Sequence, residues 1–148
     1  MNNNRTKAAV LGGALAGGVA LALLSPAAPA LAFDSGGLHL ELAVQSPATL
    51  LARGVAADVL VDVTCNSSYP ISLNVYLSER VGKGIANGGG YVYLACTGSP
   101  QRVVVRVVAT SGTPFARGTA VASGYLYGCD ETVCGTADAE IVTVKITK

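Results

Sequence analysis

The stretch V-L-V-D-V-T-C at Val59–Cys65 decides the fold of this chain. Its valines alternate with Leu60, Asp62 and Thr64, and the alternation ends on Cys65. Because side chains along a β-strand change face at every residue, the stretch predicts a half-buried strand. The cysteine then stands at the end of the buried face.

A second stretch, Tyr91–Cys96, ends in the same way. Val92, Leu94 and Cys96 share one face of the predicted strand. Two strands that each deliver a cysteine from a buried face suggest a disulfide that joins Cys65 to Cys96 inside a β-sandwich.

The other two cysteines, Cys129 and Cys134, lie close together in C-D-E-T-V-C. An even number of cysteines in an exported chain implies disulfides, and four cysteines allow three pairings. We favour Cys65–Cys96 and Cys129–Cys134. The alternative is a zinc site, which needs paired clusters of Cys or His. One C-x₄-C with two distant cysteines and a lone His39 is a poor match, so we expect no metal and no cofactor.

The first 32 residues have the layout of a secretory signal peptide. Arg5 and Lys7 precede an apolar run at 8–24, and Ala30-Leu31-Ala32 is a small-x-small cleavage site. We expect cleavage after Ala32, which leaves one mature domain at 33–148 and a secreted, extracellular protein. The alternative is a transmembrane anchor, but glycines and prolines thin the apolar run and no second span follows.

The charge of the mature chain excludes two classes of function. Residues 33–148 carry eight Lys and Arg against nine Asp and Glu, a net charge of −1. Without a basic cluster the chain lacks the electrostatic footprint of a nucleic-acid binder. It also lacks a polybasic or amphipathic stretch for a membrane, so we expect no nucleic acid and no membrane contact after cleavage.

The remaining chain predicts an all-β fold. Seven segments alternate and are separated by turn residues, which is typical of an immunoglobulin-like antiparallel β-sandwich of about seven strands with two disulfides. The segments are Leu38–Val44, Val59–Cys65, Ile71–Ser78, Tyr91–Cys96, Arg102–Ala109, Thr119–Tyr127 and Asp138–Thr147. Phe33–Gly37 is expected to be a polar lead-in, and 79–90 a flexible glycine-rich loop. The pattern of Thr119–Tyr127 leaves its buried face open.

The sequence contains no convincing catalytic constellation, and we expect no enzyme. His39 is the one histidine, on the outward face of its strand, and there is no G-x-S-x-G elbow. Asp58 and Asp62 share an outward face but lie about 13 Å apart by the strand rise, too far for a working pair. Asp130-Glu131 is expected to be an exposed loop tip.

The tyrosines are the better functional signal. Tyr76, Tyr91 and Tyr93 fall opposite the core residues of their strands, and Tyr125 and Tyr127 share one face. Outward tyrosines can form a binding face, since each offers rigid apolar area and a hydroxyl. The alternative is that they cover neighbouring strands. The absence of tryptophan weakens a carbohydrate platform.

The chain resembles a known group in four features: an Ala/Gly-rich signal segment, the V-x-V-x-C strand, A-C-T-G at 95–98 and the late C-x₄-C. These look like small secreted actinobacterial domains of unknown function with an immunoglobulin-like sandwich. A more distant resemblance is to the neocarzinostatin-type chromoproteins, which implies a seven-stranded sandwich with two disulfides and a cleft for an enediyne chromophore. Cys129 and Cys134 match that family's late bridge. Cys65 and Cys96, 31 residues apart, depart from its narrower first bridge.

Three functions follow as expectations. The first is a non-catalytic sandwich that binds an extracellular protein or a cell-surface partner. The second is a small-molecule carrier of the chromoprotein type. The third is a secreted peptidase inhibitor that presents the Cys129–Cys134 loop.

Overall fold

A computed structural model describes residues 31–148, in which the chain forms nine β-strands and a single 3₁₀ turn at Ala52–Gly54. The strands are β1 (Leu31–Ser35), β2 (Leu38–Val44), β3 (Ala48–Leu51), β4 (Ala56–Cys65), β5 (Ile71–Val81), β6 (Gly84–Leu94), β7 (Gln101–Ala109), β8 (Gly118–Cys129) and β9 (Cys134–Thr147). The all-β class is confirmed. The predicted signal peptide, 1–32, lies outside the described residues except for its last two, which begin β1.

Seven of these strands close into a barrel, where the sequence predicted a sandwich. They follow the order β4-β3-β9-β8-β5-β6-β7, and β7 pairs back onto β4. The two closing pairings are short: β3 pairs with β9 at two positions, and β6 pairs with β7 at two positions, Gly88 and Gly89. Local alternation fixes the faces of a strand but carries no information on whether its edges pair, so the closure was not predictable.

The predicted buried faces are confirmed. The largest fully buried side chains are Leu38, Leu40, Leu42, Val59, Val61, Val63, Ile71, Leu73, Val75, Leu77, Val105 and Leu126. The structure also decides the face that the pattern of β8 left open. Ala120, Ala122 and Leu126 point inward, while Val121 and Tyr127 are exposed.

The prediction of a flexible loop at 79–90 is wrong. β5 and β6 form one long hairpin in which every residue from Ile71 to Val81 has a partner, and only Gly82 and Lys83 form the turn. A Cβ atom at Gly88 or Gly90 would overlap a carbonyl oxygen of β7. The glycines therefore let two backbones approach closely, a role that the sequence does not distinguish from flexibility.

The N-terminal predictions also need correction. The expected lead-in at 33–37 belongs largely to β1, which pairs with β2 from Leu31 to Ser35. The sequence analysis predicted no strand at Thr49-Leu50-Leu51, but these residues lie in β3, which pairs with β4. Strands this short show too few alternating residues to stand out from a polar loop.

Both predicted disulfides are present. Cys65 at the end of β4 bonds to Cys96, with the Cα atoms 5.1 Å apart, and β6 ends at Leu94, two residues earlier than expected. Cys129 and Cys134 face each other as the last pair of the β8–β9 register. The described residues contain no free cysteine. Disulfides of this kind are typical of an oxidising compartment.

Candidate functional site

One surface collects the five tyrosines that the sequence singled out. It is the outer side of four neighbouring strands, β6, β5, β8 and β9. Tyr91 and Tyr93 project from β6, Tyr76 from β5, and Tyr125 and Tyr127 from β8. We call this surface the tyrosine face. The sequence placed Tyr76, Tyr91 and Tyr93 on outward faces and left open which way the shared face of Tyr125 and Tyr127 points. The strand order then brings the five together.

The residues between the tyrosines are small and polar. Across the strands the rows read Tyr93–Ser72–Tyr127, Tyr91–Asn74–Tyr125 and Gly89–Tyr76–Ser123. Tyr, Ser, Asn and Gly are the residues that dominate antibody combining sites. Tyrosine gives rigid contact area there and the small polar residues give adaptable hydrogen bonds.

Pairwise ring contacts hold most of the tyrosines in place. The rings of Tyr76 and Tyr125 stack with centroids 6.4 Å apart, and those of Tyr91 and Tyr93 meet edge to face at 6.0 Å. Tyr91 and Tyr93 nevertheless stay 70% and 69% exposed, which is too much for residues that serve to cover a neighbouring strand. Their apolar surface is open to a partner.

The hydroxyl of Tyr125 is neutral at ordinary pH. The pKa of Tyr125 is raised above its usual value of 10.0, first by hydrogen bonding to Tyr76, then by repulsion from the charge of Tyr76, and last by desolvation. The Tyr125 hydroxyl therefore acts as a hydrogen-bond donor and acceptor without adding charge.

The sequence analysis missed Ile141, the most exposed large apolar residue of the described chain at 76%. The register shifts between Ala122 and Gly124 of β8, so that two residues of β9, Glu140 and Ile141, stand opposite Ser123. A bulge of this kind redirects side chains to one side of a sheet. The sequence feature that could have indicated this exposure is that Ile141 directly precedes Val142, whose side chain points inward.

Ile141 borders a shallow depression in the face. Its cavity volume is about 290 Å³, and Tyr76, Val121 and Ser123 also line it. A second depression of about 440 Å³ continues along the strands to Ile85 and shares Val121 with the first. The face therefore has a half rich in tyrosine and a half with two shallow depressions.

Asp58 and Asp62, the two carboxylates considered above as a catalytic pair, form ion pairs with arginine side chains. Asp62 accepts two hydrogen bonds from Arg102, at 2.7 and 3.0 Å, and Asp58 accepts two from Arg106, at 2.9 and 3.1 Å. These contacts raise the pKa of both guanidiniums, chiefly by the hydrogen bonds and then by the charges of the aspartates. The pairs join β4 to β7 on the opposite side of the molecule from the tyrosine face.

His39 lies half-exposed between two carboxylates. Its Nδ1 is 3.9 Å from Asp34 Oδ2, and its Nε2 is 3.8 Å from Glu41 Oε2. No serine or cysteine nucleophile contacts it among the hydrogen bonds of residues 31–148. The geometry places this histidine beside two surface carboxylates, and no nucleophile is hydrogen-bonded to it in that part of the chain.

Glu79 is a buried carboxylate that the sequence analysis placed in a loop. It is 4% exposed, and its Oε2 accepts a hydrogen bond of 2.8 Å from the backbone N–H of Ala116. We predict that Glu79→Ala lowers the free energy of unfolding by about 2 kcal/mol, because a buried donor loses its partner. Glu79→Gln keeps an acceptor and should lose less. Urea unfolding of both variants tests this, and equal losses would contradict it.

Within residues 31–148, no helix is long and apolar enough to cross a membrane. The same residues hold no cluster of three or more His, Cys, Asp or Glu side chains that could bind a metal ion. Comparison with known protein families, with curated proteins and with solved structures gives no significant match for this chain.

Proposed function

We propose that the protein is a secreted, non-catalytic binding domain whose tyrosine face contacts a protein partner outside the cell. The observation that carries this proposal is the concentration of five tyrosines, with serine, asparagine and glycine between them, on one face of one sheet. Contiguous exposed apolar surface of this kind marks interaction sites in soluble proteins.

The β-sheet holds the side chains of the tyrosine face in a restrained arrangement, which favours binding. Tyrosine has few rotatable bonds, and the ring pairs Tyr76–Tyr125 and Tyr91–Tyr93 restrict them further. A partner that docks on restrained side chains loses less conformational entropy than one that must order them. This supports binding by a rigid face over binding by a mobile loop.

Secretion and the finer fold are parts of the same proposal. Two disulfides and the apolar segment after Arg5 and Lys7 support export. The barrel is closed by pairings of only two residues at each seam, which supports its treatment as an immunoglobulin-like sandwich with two layers. In that arrangement β4 and β7 belong to one layer, and the tyrosine face is the outside of the other.

A second candidate function is the carriage of a small molecule. One observation favours it: the two connected depressions beside Tyr76 and Ile141 have volumes near the lower range of ligand pockets. Native mass spectrometry of the secreted protein tests this, since a carrier would keep an added mass. The third hypothesis, peptidase inhibition by the Cys129–Cys134 loop, stays a prediction.

The binding proposal predicts a specific pattern of loss. Each of the variants Tyr91→Ser and Tyr125→Ser should weaken capture of an extracellular protein at least tenfold, as expected for a central aromatic contact. Val104→Ser is the matched control, because Val104 is 54% exposed on the outside of β7, away from the tyrosine face.

The measurement is capture of culture-medium and cell-surface proteins on the immobilised wild type and variants, followed by titration of the captured protein. Loss of capture by the two tyrosine variants alone supports the proposal. Equal loss by Val104→Ser, or no loss by either tyrosine variant, would contradict it.

A further inference from the structure

We propose that the protein partner of the tyrosine face is a second copy of this chain, packed face to face with its strands running in the opposite direction. The inference rests on the proposed binding function and names its partner. Its basis is the placement of charged residues on the face, which is self-complementary in this one orientation.

The basic residues of the face stand at one end. Arg80 precedes the turn of the β5–β6 hairpin, and Lys83 lies in that turn. Lys145 of β9 lies opposite Thr119 of β8. Ala120, the next residue of β8, lies opposite Glu79 of β5, so Lys145 is level with the end of β5 that carries Arg80. The three cations therefore gather at the end of the sheet that is remote from most of the tyrosines.

The acidic residues stand between the centre of the face and its other end. Asp138 lies opposite Tyr125, and Glu140 belongs to the bulge opposite Ser123. Asp138 and Lys145 are about 20 Å apart along β9 by the strand rise. That separation exceeds the screening length of about 8 Å at physiological salt, so the two ends do not neutralise each other.

The charged residues on the two sides of the molecule also differ in whether they form salt bridges. Within residues 31–148, Arg102 and Arg106 are each paired with an aspartate, whereas Arg80, Lys83, Asp138 and Glu140 form no salt bridge there. The ionic groups of the tyrosine face are free to pair with another molecule. This favours the tyrosine face over the β4–β7 face as the site of contact.

A two-fold axis in the plane of the interface can place two copies in two ways. An axis along the strands sets each basic end on a basic end, which is repulsive. An axis across the strands sets Lys145 of one copy near Asp138 and Glu140 of the other, and the contact occurs twice by symmetry. The charges thus select the arrangement with opposed strands, in which β9 lies over β9.

The same axis brings the apolar features together. The midpoint between Lys145 and Asp138 along β9 lies close to Ile141 and the depression beside Tyr76 and Val121. The Ile141 side chains of the two copies then meet close to the axis, beside the depression of each copy. An exposed side chain at the centre of the face and a depression beside it are what an isologous contact requires.

The tyrosine half of one copy meets the basic half of the other. Arg80 and Lys83 come over Tyr91 and Tyr125, and cations are attracted to the faces of tyrosine rings. The sheet is about 15–20 Å wide and about 30 Å long by strand spacing and rise, so the contact buries about 1,000 Å² in total. An area at the low end for stable complexes is typical of weak or transient contacts, so we expect a weak dimer whose dissociation can be followed at micromolar concentrations.

The test is a charge swap, measured by sedimentation equilibrium of the mature protein from 10 to 500 μM. The acidic-end variant is D138K/E140K, and the basic-end variant is R80E/K145E. Each alone should raise the dissociation constant of the dimer at least tenfold, because every ionic contact becomes repulsive. An equimolar mixture should recover a dimer of one copy of each. The double variant R53E/R102E changes the net charge by as much at residues outside the face, Arg102 lying on the β4–β7 side, and should dimerise as the wild type does.

The outcomes separate this inference from the proposed function. A wild type that stays monomeric at 500 μM, or a mixture that fails to recover the dimer, overturns self-association. If Tyr91→Ser still abolishes capture of a different extracellular protein in that case, the binding function of the face stands. If the dimer follows the charge swap but Tyr91→Ser and Tyr125→Ser change no interaction, the proposed role of the tyrosines fails.

Discussion

Replacement of Cys65 and Cys96 by alanine is expected to lower the free energy of unfolding by about 3.7 kcal/mol, by the loop-closure entropy of a 31-residue loop. Without the bond, the unfolded chain gains conformational freedom that the native chain does not. Cys65 is also fully buried, so its truncation removes packing atoms from the core. This decrease is a large fraction of the free energy of unfolding of a typical domain.

The matched variant replaces Cys129 and Cys134 by alanine. The bond closes a loop of only five residues, for which the same relation gives about 2 kcal/mol. Guanidinium unfolding of the wild type and both double variants measures the difference. A larger loss from the short loop than from the long one would show that strain or residual structure outweighs chain entropy in this protein.

The second large effect concerns the glycines at which β6 meets β7. Gly90→Ala is expected to lower the free energy of unfolding by about 3 kcal/mol, because the new methyl group overlaps the carbonyl oxygen of Arg106 and forces the backbones apart. Gly88→Ala meets the carbonyl of Val108 and the ring of Phe115 and should cost about as much.

Gly89 supplies the control within the same run. A Cβ atom there would meet the ring of Tyr76 at 3.4 Å and the carbonyl oxygen of Val75 at 3.8 Å, which are ordinary contacts. Gly89→Ala should therefore leave the free energy of unfolding within about 0.5 kcal/mol of the wild type, since the site is open to solvent on the tyrosine face. Thermal and urea unfolding of the three variants decide the point. Similar effects at all three positions would mean that the close contact between β6 and β7 does not form.

Part of the candidate site was readable from the sequence. Whether Tyr76, Tyr91 or Tyr93 points outward depends only on its position relative to the apolar residues of its own strand, a pattern with a period of two. For β8 the two faces carry residues of similar character, so Tyr125 and Tyr127 could be placed together but not outward. The burial of Leu126 against the core settles this face.

The sequence by itself determined the all-β class, the inward faces of most strands and both disulfides, because these depend on alternation and on the spacing of cysteines. Only the tertiary structure decided that β6, β5, β8 and β9 are neighbours and that five tyrosines share one face. It also decided the exposure of Ile141 at the bulge and the closure of the barrel at Gly88 and Gly89. These features depend on pairings between residues far apart in the chain, and a local pattern contains no record of which strand lies beside it.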